Sequence, residues 1–341
     1  MQITEHGGNP LSLVGVTDFS ANINPMGMSR SVREAYIKSA SEIERYPDPY
    51  CVKLREKIAE KLNTIPEKIV CGNGADDLIY RIVQAFRPRR SLLCVPTFSE
   101  YSKALKECGC EITEYFLSEE NGFEVDHSLI NKLHDVDIFF LCSPNNPTGR
   151  IVSQDVLAKT AEICLKRDIL LVCDESFLGF TDSKGIMPYI NGNVVILRSM
   201  TKIYAIPGIR LGYAVFGDTC KADKTASTGQ FWSVSSPALA CGLAALDEEE
   251  YVRNSAVYIK KERKYLMSEI NKYVEKVYPS EANYILFKAE DDLDEKLFSQ
   301  GLLIRNCSNY IGLGNGFFRV AIRRHNENEL LIKALRRLRN G

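Results

Sequence analysis

Lys202 stands three residues after Ser199 and eight before Arg210, in the segment Arg198-Ser-Met-Thr-Lys-Ile-Tyr-Ala-Ile-Pro-Gly-Ile-Arg210. A lysine amine forms a Schiff base with a carbonyl cofactor, and a hydroxyl and a bidentate guanidinium are suited to hold a phosphate. The three residue types together suit a site for pyridoxal phosphate (PLP), where the cofactor is the electron sink and the protein supplies orientation and charge. A lysine taken blindly is a solvated surface charge. Here the flanks are short of charge and rich in Gly and Pro. They also follow the apolar run Asn193-Val-Val-Ile-Leu197, where a loop carrying chemistry belongs.

Such a loop needs a frame. From about residue 65 to 217 short apolar runs alternate with helical patterns, the signature of a parallel sheet flanked by helices. The strands expected are 68–71, 91–95, 112–116, 137–142, 169–173, 194–197 and 211–216, and their unbroken apolarity predicts burial on both faces. Helices are expected over 76–86, 153–166 and, as a long amphipathic stretch able to bridge two domains, 249–273. The last hundred residues carry strands at 283–288 and 317–322 between helices that end with 327–339, which predicts a smaller α+β domain. The fold class expected is α/β, a mostly parallel sheet sandwiched by helices with that smaller domain beside it.

In an open α/β sheet ligands bind beyond the carboxyl ends of the strands. The residues just after each run are Gly72-Asn-Gly-Ala-Asp-Asp77, Pro96-Thr-Phe98, Ser143-Pro-Asn-Asn-Pro-Thr-Gly149 and Asp174-Glu-Ser-Phe177. The first reads either as a phosphate cup at a helix N-terminus or as a tight turn with an Asp cap. Phe98 could lie over a flat ring or belong to the core. Asp174 could keep a pyridine nitrogen protonated or cap a helix. Their occurrence in this order at successive strand ends, with a Schiff-base lysine, favours the cofactor reading of the set.

Composition narrows the function classes. With 43 basic and 44 acidic residues among 341, and the two kinds mixed along the chain, no nucleic-acid footprint is expected. No run approaches a membrane helix and the start lacks signal-peptide features, so a cytoplasmic location and no membrane partner are expected. The eleven cysteines are scattered and odd in number, with Cys94, Cys142 and Cys173 inside strand-like runs, and read as reduced core residues. Cys108 and Cys110 lack a matching His or Cys cluster, so no metal site is expected.

At these residues the chain resembles the fold-type I PLP enzymes of the aspartate aminotransferase superfamily, over nearly its whole length. The resemblance implies that Lys202 is the Schiff-base lysine, that Asp174 pairs with the pyridine nitrogen and that Asn146 bonds the ring hydroxyl. It implies that Gly74, Ala75, Asp76, Ser199 and Arg210 hold the cofactor phosphate and that Phe98 stacks on the ring. Tyr46, in Arg45-Tyr-Pro-Asp-Pro49, resembles the tyrosine that reaches a neighbouring subunit's phosphate, which implies a homodimer with shared active sites. Where many members have a tyrosine, this chain has Phe177, which cannot bond the ring hydroxyl. The implied division is an N-terminal segment 1–45 contributing to the small domain and active site, a large PLP-binding domain 46–250 and a small domain 251–341.

Within the superfamily the histidinol-phosphate aminotransferases share Arg-Tyr-Pro-Asp-Pro, Asn-Asn-Pro-Thr-Gly and Asp-Glu-Ser. The chain is more similar to the L-threonine-O-3-phosphate decarboxylases of cobalamin biosynthesis. That likeness rests on His6-Gly-Gly-Asn9, Asp18-Phe-Ser-Ala-Asn-Ile-Asn-Pro-Met-Gly27, Trp232-Ser-Val234, Arg305-Asn-Cys-Ser-Asn-Tyr310 and Phe318-Arg-Val-Ala-Ile-Arg323. It implies that His6, Gly7, Asn22, Asn146, Arg305 and Arg319 bind a small phosphorylated amino acid, whose decarboxylation yields aminopropanol phosphate. The segment between His6-Gly-Gly and Asp18 is shorter here than in that group. Seen alone, Arg305 and Arg319 also read as surface charges on a strand edge. A non-catalytic PLP-fold binding protein is the remaining reading, and the intact Lys202 and Asp174 weigh against it.

Overall fold

The computed structural model describes residues 7–8 and 15–340. A two-residue strand, β1 (Thr17–Asp18), opens the described chain. Seven strands then form one sheet: β2 (Ile69–Gly72), β3 (Arg90–Val95), β4 (Glu111–Phe116), β5 (Ile138–Cys142), β6 (Leu170–Asp174), β7 (Val194–Ser199) and β8 (Gly212–Phe216). They lie in the order β2-β8-β7-β6-β5-β3-β4. β2 to β7 all run the same way and β8 runs against both its neighbours. Strict alternation along the strands feeds two cores. Leu92, Phe139, Leu171 and Ile196 face one side, and Leu93, Phe140, Val172 and Leu197 face the other. Helices such as Gly74–Phe86 and Gln154–Lys166 cover these faces.

Two sequence expectations need correction here. The run at 112–116 is not buried on both faces: β4 is the edge strand, hydrogen-bonded to β3 alone, and Thr113, Glu114 and Phe116 are exposed. Ile112 and Tyr115, three residues apart, point to opposite faces and are each half-buried against one of the two cores, while the polar residues of this edge strand meet solvent. The 211–216 run is a buried strand, but antiparallel. It follows β7 through a connection, 200–211, whose one α-helix has four residues, too short to carry the chain back along the sheet as the crossover to a parallel neighbour must.

A smaller antiparallel sheet follows, made of β9 (Lys276–Val277), β10 (Tyr284–Lys288), β12 (Arg305–Asn306) and β13 (Phe317–Ala321) in the order β12-β13-β10-β9. β11 (Leu302–Leu303) pairs in parallel with β1. Four of these strands have only two residues, too short to show a period in sequence. The helices Glu249–Ile270 and His325–Asn340 cover this third core, which holds Ile259, Leu266, Phe287, Phe318 and Leu331. The same cluster takes in Phe177, Phe180 and Ile203, so the long helix packs on segments flanking the large sheet. Cys94, Cys142 and Cys173 are buried free thiols. No helix among the described residues is long and apolar enough to cross a membrane.

Burial predicts where this frame is vulnerable. Phe139→Ala, at a fully buried central position, is expected to cost about 3–5 kcal/mol, while Thr113→Ala on the exposed edge stays within about 0.5 kcal/mol. Urea midpoints at unchanged slope check both.

Candidate active site

All the strand-end residues face one edge of the sheet, because β2 to β7 share a direction and β8 begins where they end. Ser199 and Gly72 both register with Gly212, the first residue of β8. That seam demands a glycine: a Cβ on Gly212 would lie 2.5 Å from the Ala75 amide nitrogen. The approach brings the start of the helix Gly74–Phe86 against the lysine segment. Gly74 itself has φ +87°, and a Cβ there would lie 2.6 Å from Arg210 Nη2. Arg210, with φ +57°, thus lays its guanidinium across the helix start. Asp77 accepts from Asn73 N at 3.0 Å and does the capping, which leaves Asp76 to line the cavity.

The cavity has a volume of about 370 Å³, enough for a small cofactor and part of a small substrate. Ala75, Asp76, Phe98, Asn146, Asp174, Ser199, Lys202 and Arg210 line it, with Gly7, Asn22 and Arg319. Lys202 sits on the short helix Met200–Ile203. Asn24 fixes that helix: its N donates to Lys202 O at 3.1 Å, and its Nδ2 donates to Ile203 O and Ser255 Oγ, each at 2.7 Å. Desolvation first, and then Arg210, push the Lys202 amine down from the ordinary 10.5 to about 8, against an opposing pull from Asp174. Ser199 Oγ lies 2.8 Å from Thr201 Oγ1.

Asp174 is buried at the end of β6 and no helix begins on it. Its Oδ1 accepts from Ser176 N at 2.9 Å and its Oδ2 from Tyr101 Oη at 2.6 Å. Asn145 builds the polar loop, donating to Pro96 O at 2.9 Å and Thr148 Oγ1 at 3.0 Å and accepting from Thr97 Oγ1 at 2.9 Å. This leaves Asn146 turned to the cavity, where its Oδ1 accepts from Arg319 Nη1. Arg319 also donates to Ser20 O at 2.9 Å and lies over the Tyr284 ring. Its Nε and Asn22 Oδ1 are buried without a hydrogen-bond partner. Gly8 N donates to Ser20 Oγ at 2.9 Å, which seats the Gly7-Gly8 pair on the cavity wall.

Some expected residues fall elsewhere. Arg305 is buried but does not line the cavity. It donates to Asn309 Oδ1 at 2.7 Å and faces the Tyr310 ring, which does line it. Neither Arg305 nor Arg319 is the surface charge that each resembled alone. Tyr46 is 79% exposed, off the cavity, and stacks on Trp232 at 4.4 Å. Phe177 lines the cavity and meets Tyr284 edge-on. His6 lies outside the described residues. Reading the sequence missed Tyr101, Asn24 and Asn145. Only Tyr101 left a signal, one helical turn after Phe98.

A lysine amine with a lowered pKa, a glycine cup under an arginine, backbone amides at a helix start and a buried carboxylate form a donor set that fits PLP. The family model described as Aminotransferase class I and II matches residues 14–335, and fold and site together define a PLP-dependent enzyme. The threonine-phosphate decarboxylase of Salmonella typhimurium is 36% identical, covering 98% of this chain and 97% of that protein. The crystal structure of the histidinol-phosphate aminotransferase from Clostridium acetobutylicum matches with TM-score 0.88 and 29% identity, over 94% of this chain and 98% of that one. That of the L-threonine-O-3-phosphate decarboxylase from Porphyromonas gingivalis matches with TM-score 0.85 and 26% identity, over 95% and 99%. The chain belongs to the aminotransferase class I and II family, and PLP is its cofactor.

The lowered amine sets a pH profile. Only a free amine captures PLP, so in cofactor-free protein the capture rate, read from the visible cofactor absorption, is expected to rise with pH to half its maximum near 8 and to level off above that. An ordinary lysine would put the half-maximum at about 10.4. Arg210→Gln, by removing a cation, is expected to move the plateau upward, and Lys202→Ala to abolish the covalent absorption band.

Proposed function

We propose that this protein is a decarboxylase of L-threonine O-3-phosphate, releasing carbon dioxide and leaving aminopropanol phosphate, as a step of cobalamin biosynthesis. The observation that carries this reading is a pair of buried arginines. Arg305 on β12 and Arg319 on β13 are direct cross-strand partners, 3% and 4% exposed. Like charges opposite one another on a sheet face destabilise it, and an anionic group of the substrate bound to Arg319 at the cavity wall would relieve part of that repulsion. The relative from Salmonella typhimurium, alike over nearly both full lengths, supports the same substrate.

When bound, PLP supplies the electron sink for a bond broken at the substrate α-carbon. Lys202 would hold it covalently, Asp174 would meet its ring nitrogen and Asn146 its hydroxyl. Phe98 would lie on its face, and Gly74, Ala75, Asp76, Ser199 and Arg210 would cup its phosphate. Arg319 would then fix an anionic end of the substrate from the cavity wall, with Gly7 and Asn22 completing that wall, Arg305 behind Tyr310, and His6 proposed as a further substrate contact. Orientation of the carboxylate decides which bond breaks. Lys202 Nζ, titrating near 8, can both take and return a proton at neutral pH, and so can protonate the α-carbon after carbon dioxide leaves.

A homodimer belongs to this reading. Tyr46, Tyr50, Phe231 and Trp232 form one exposed chain of ring contacts, an apolar patch suited to a second copy, and Tyr46 would reach that copy's cofactor phosphate. The nearest competing reading is a histidinol-phosphate aminotransferase, favoured by the fold match to the Clostridium acetobutylicum enzyme.

Two incubations separate them. Carbon dioxide is expected from threonine phosphate, whereas glutamate formed only from histidinol phosphate plus 2-oxoglutarate would overturn the decarboxylase. Arg319→Gln removes a charge-assisted bond to the substrate and is expected to lower kcat/KM roughly 10- to 150-fold, measured by initial rates.

A further inference from the structure

Among the described residues, the one side chain hydrogen-bonded to Asp174 from another element is Tyr101. It sits on the helix Ser99–Glu107, its side chain fully buried. Its ring lies nearly parallel to Phe140 on β5, with centroids 5.1 Å apart and 15° between planes. It meets the edge of Phe98 at 5.6 Å and 82°. The hydroxyl donates to Asp174 Oδ2 at 2.6 Å. One residue therefore buttresses, through its ring, the aromatic assigned to the cofactor face, and holds, through its O–H, the carboxylate assigned to the cofactor nitrogen.

We infer that Tyr101 is a positioning residue for the cofactor, holding Asp174 ionised and in one orientation so that the proton shared with the pyridine nitrogen rests on the nitrogen. The inference rests on PLP as the cofactor and on the proposed place of Asp174 at its nitrogen, and not on the choice of substrate. Its physical basis is a count of donors. Asp174 receives one hydrogen bond on each oxygen, from Tyr101 Oη and from Ser176 N. Both are strongest to a charged acceptor. Were the proton to move from the ring nitrogen to Asp174, both bonds would weaken, so the two donors favour the charged pair over the neutral one. Tyr101 keeps its own proton throughout, since burial and then the Asp174 charge push its phenol well above 10. Stacking on Phe140 leaves the ring no room to swing the hydroxyl away. With Phe177 unable to donate to the ring hydroxyl, the nitrogen end carries more of the tuning in this chain.

The test reads the nitrogen directly. Holoenzyme is reconstituted with 15N-labelled PLP and its ring-nitrogen resonance is followed with pH. In the wild type the resonance is expected to stay in the protonated range around neutral pH. In Tyr101→Phe, which keeps both ring contacts, the resonance at neutral pH is expected to shift toward the unprotonated range, the share of the proton on nitrogen relative to Asp174 falling about tenfold. The value of kcat falls with it, while KM holds within about twofold. A second arm places 3-fluorotyrosine at position 101, a more acidic donor of nearly the same shape, and the neutral-pH resonance is expected to move further toward the protonated limit. This arm decides the matter should the phenylalanine variant not fold. A resonance that follows the wild type in either folded variant overturns the inference and leaves Tyr101 a packing residue. No substrate enters the resonance measurement, so inactivity toward threonine phosphate leaves it standing, and an unmoved resonance leaves the substrate proposal untouched.

Discussion

A primary amine withdrawn from water beside a guanidinium is unfavourable to charge, and the site is organised around placing Lys202 in that position. Its reactivity comes from the same two causes, burial and Arg210, that make it expensive to hold as a cation. Neither would act without the reversal of β8. Because that strand runs back along β7, Arg210 arrives at the edge where Lys202 sits, and the glycine at 212 lets the helix start close on both. Asn24, far away in sequence, then keeps the short lysine helix from turning.

Much of this was legible in the sequence, and the reason is locality. Ser199, Lys202 and Arg210 lie within one stretch, and Ala75, Asp76, Phe98, Asn146 and Asp174 closely follow apolar runs, so pattern alone marked residues that the fold brings to one cavity. Strand positions came out within a residue or two for the same reason, since buried β-strands announce themselves by composition. What escaped was set by tertiary position. The exposure of β4 depends on its being the last strand of the sheet, and the direction of β8 on the length of one connection. Tyr101 looks like any core tyrosine until β6 is laid beside its helix, and Asn24 like any loop residue until the long helix brings Ser255 to it. Arg305 and Arg319 were misleading one at a time, because only their shared register shows that the pair is buried.

The two halves of the site differ in kind. The cofactor half is built on strands that share one sheet and contact one another along their length. Its partner half is assembled from the two-residue strands β1 and β12, from β13, and from the turn that carries Ser20 and Asn22. Backbone bonds such as Phe19 N to Leu303 O and Ala321 N to Phe19 O join these short pieces, and Arg319 adds a side-chain bond to Ser20 O.

The parallel pairing of Thr17–Asp18 with Leu302–Leu303 has a bearing on how the molecule is made. Two segments nearly three hundred residues apart must meet before the substrate-facing wall exists, and contacts of such long sequence separation close late and slowly. On the ribosome the large sheet has all its strands once β8 emerges, whereas β1 must wait for the chain's final stretch. A nascent chain can therefore shape the cofactor cup well before it can select what will react there, which orders the two recognition events in time as well as in space.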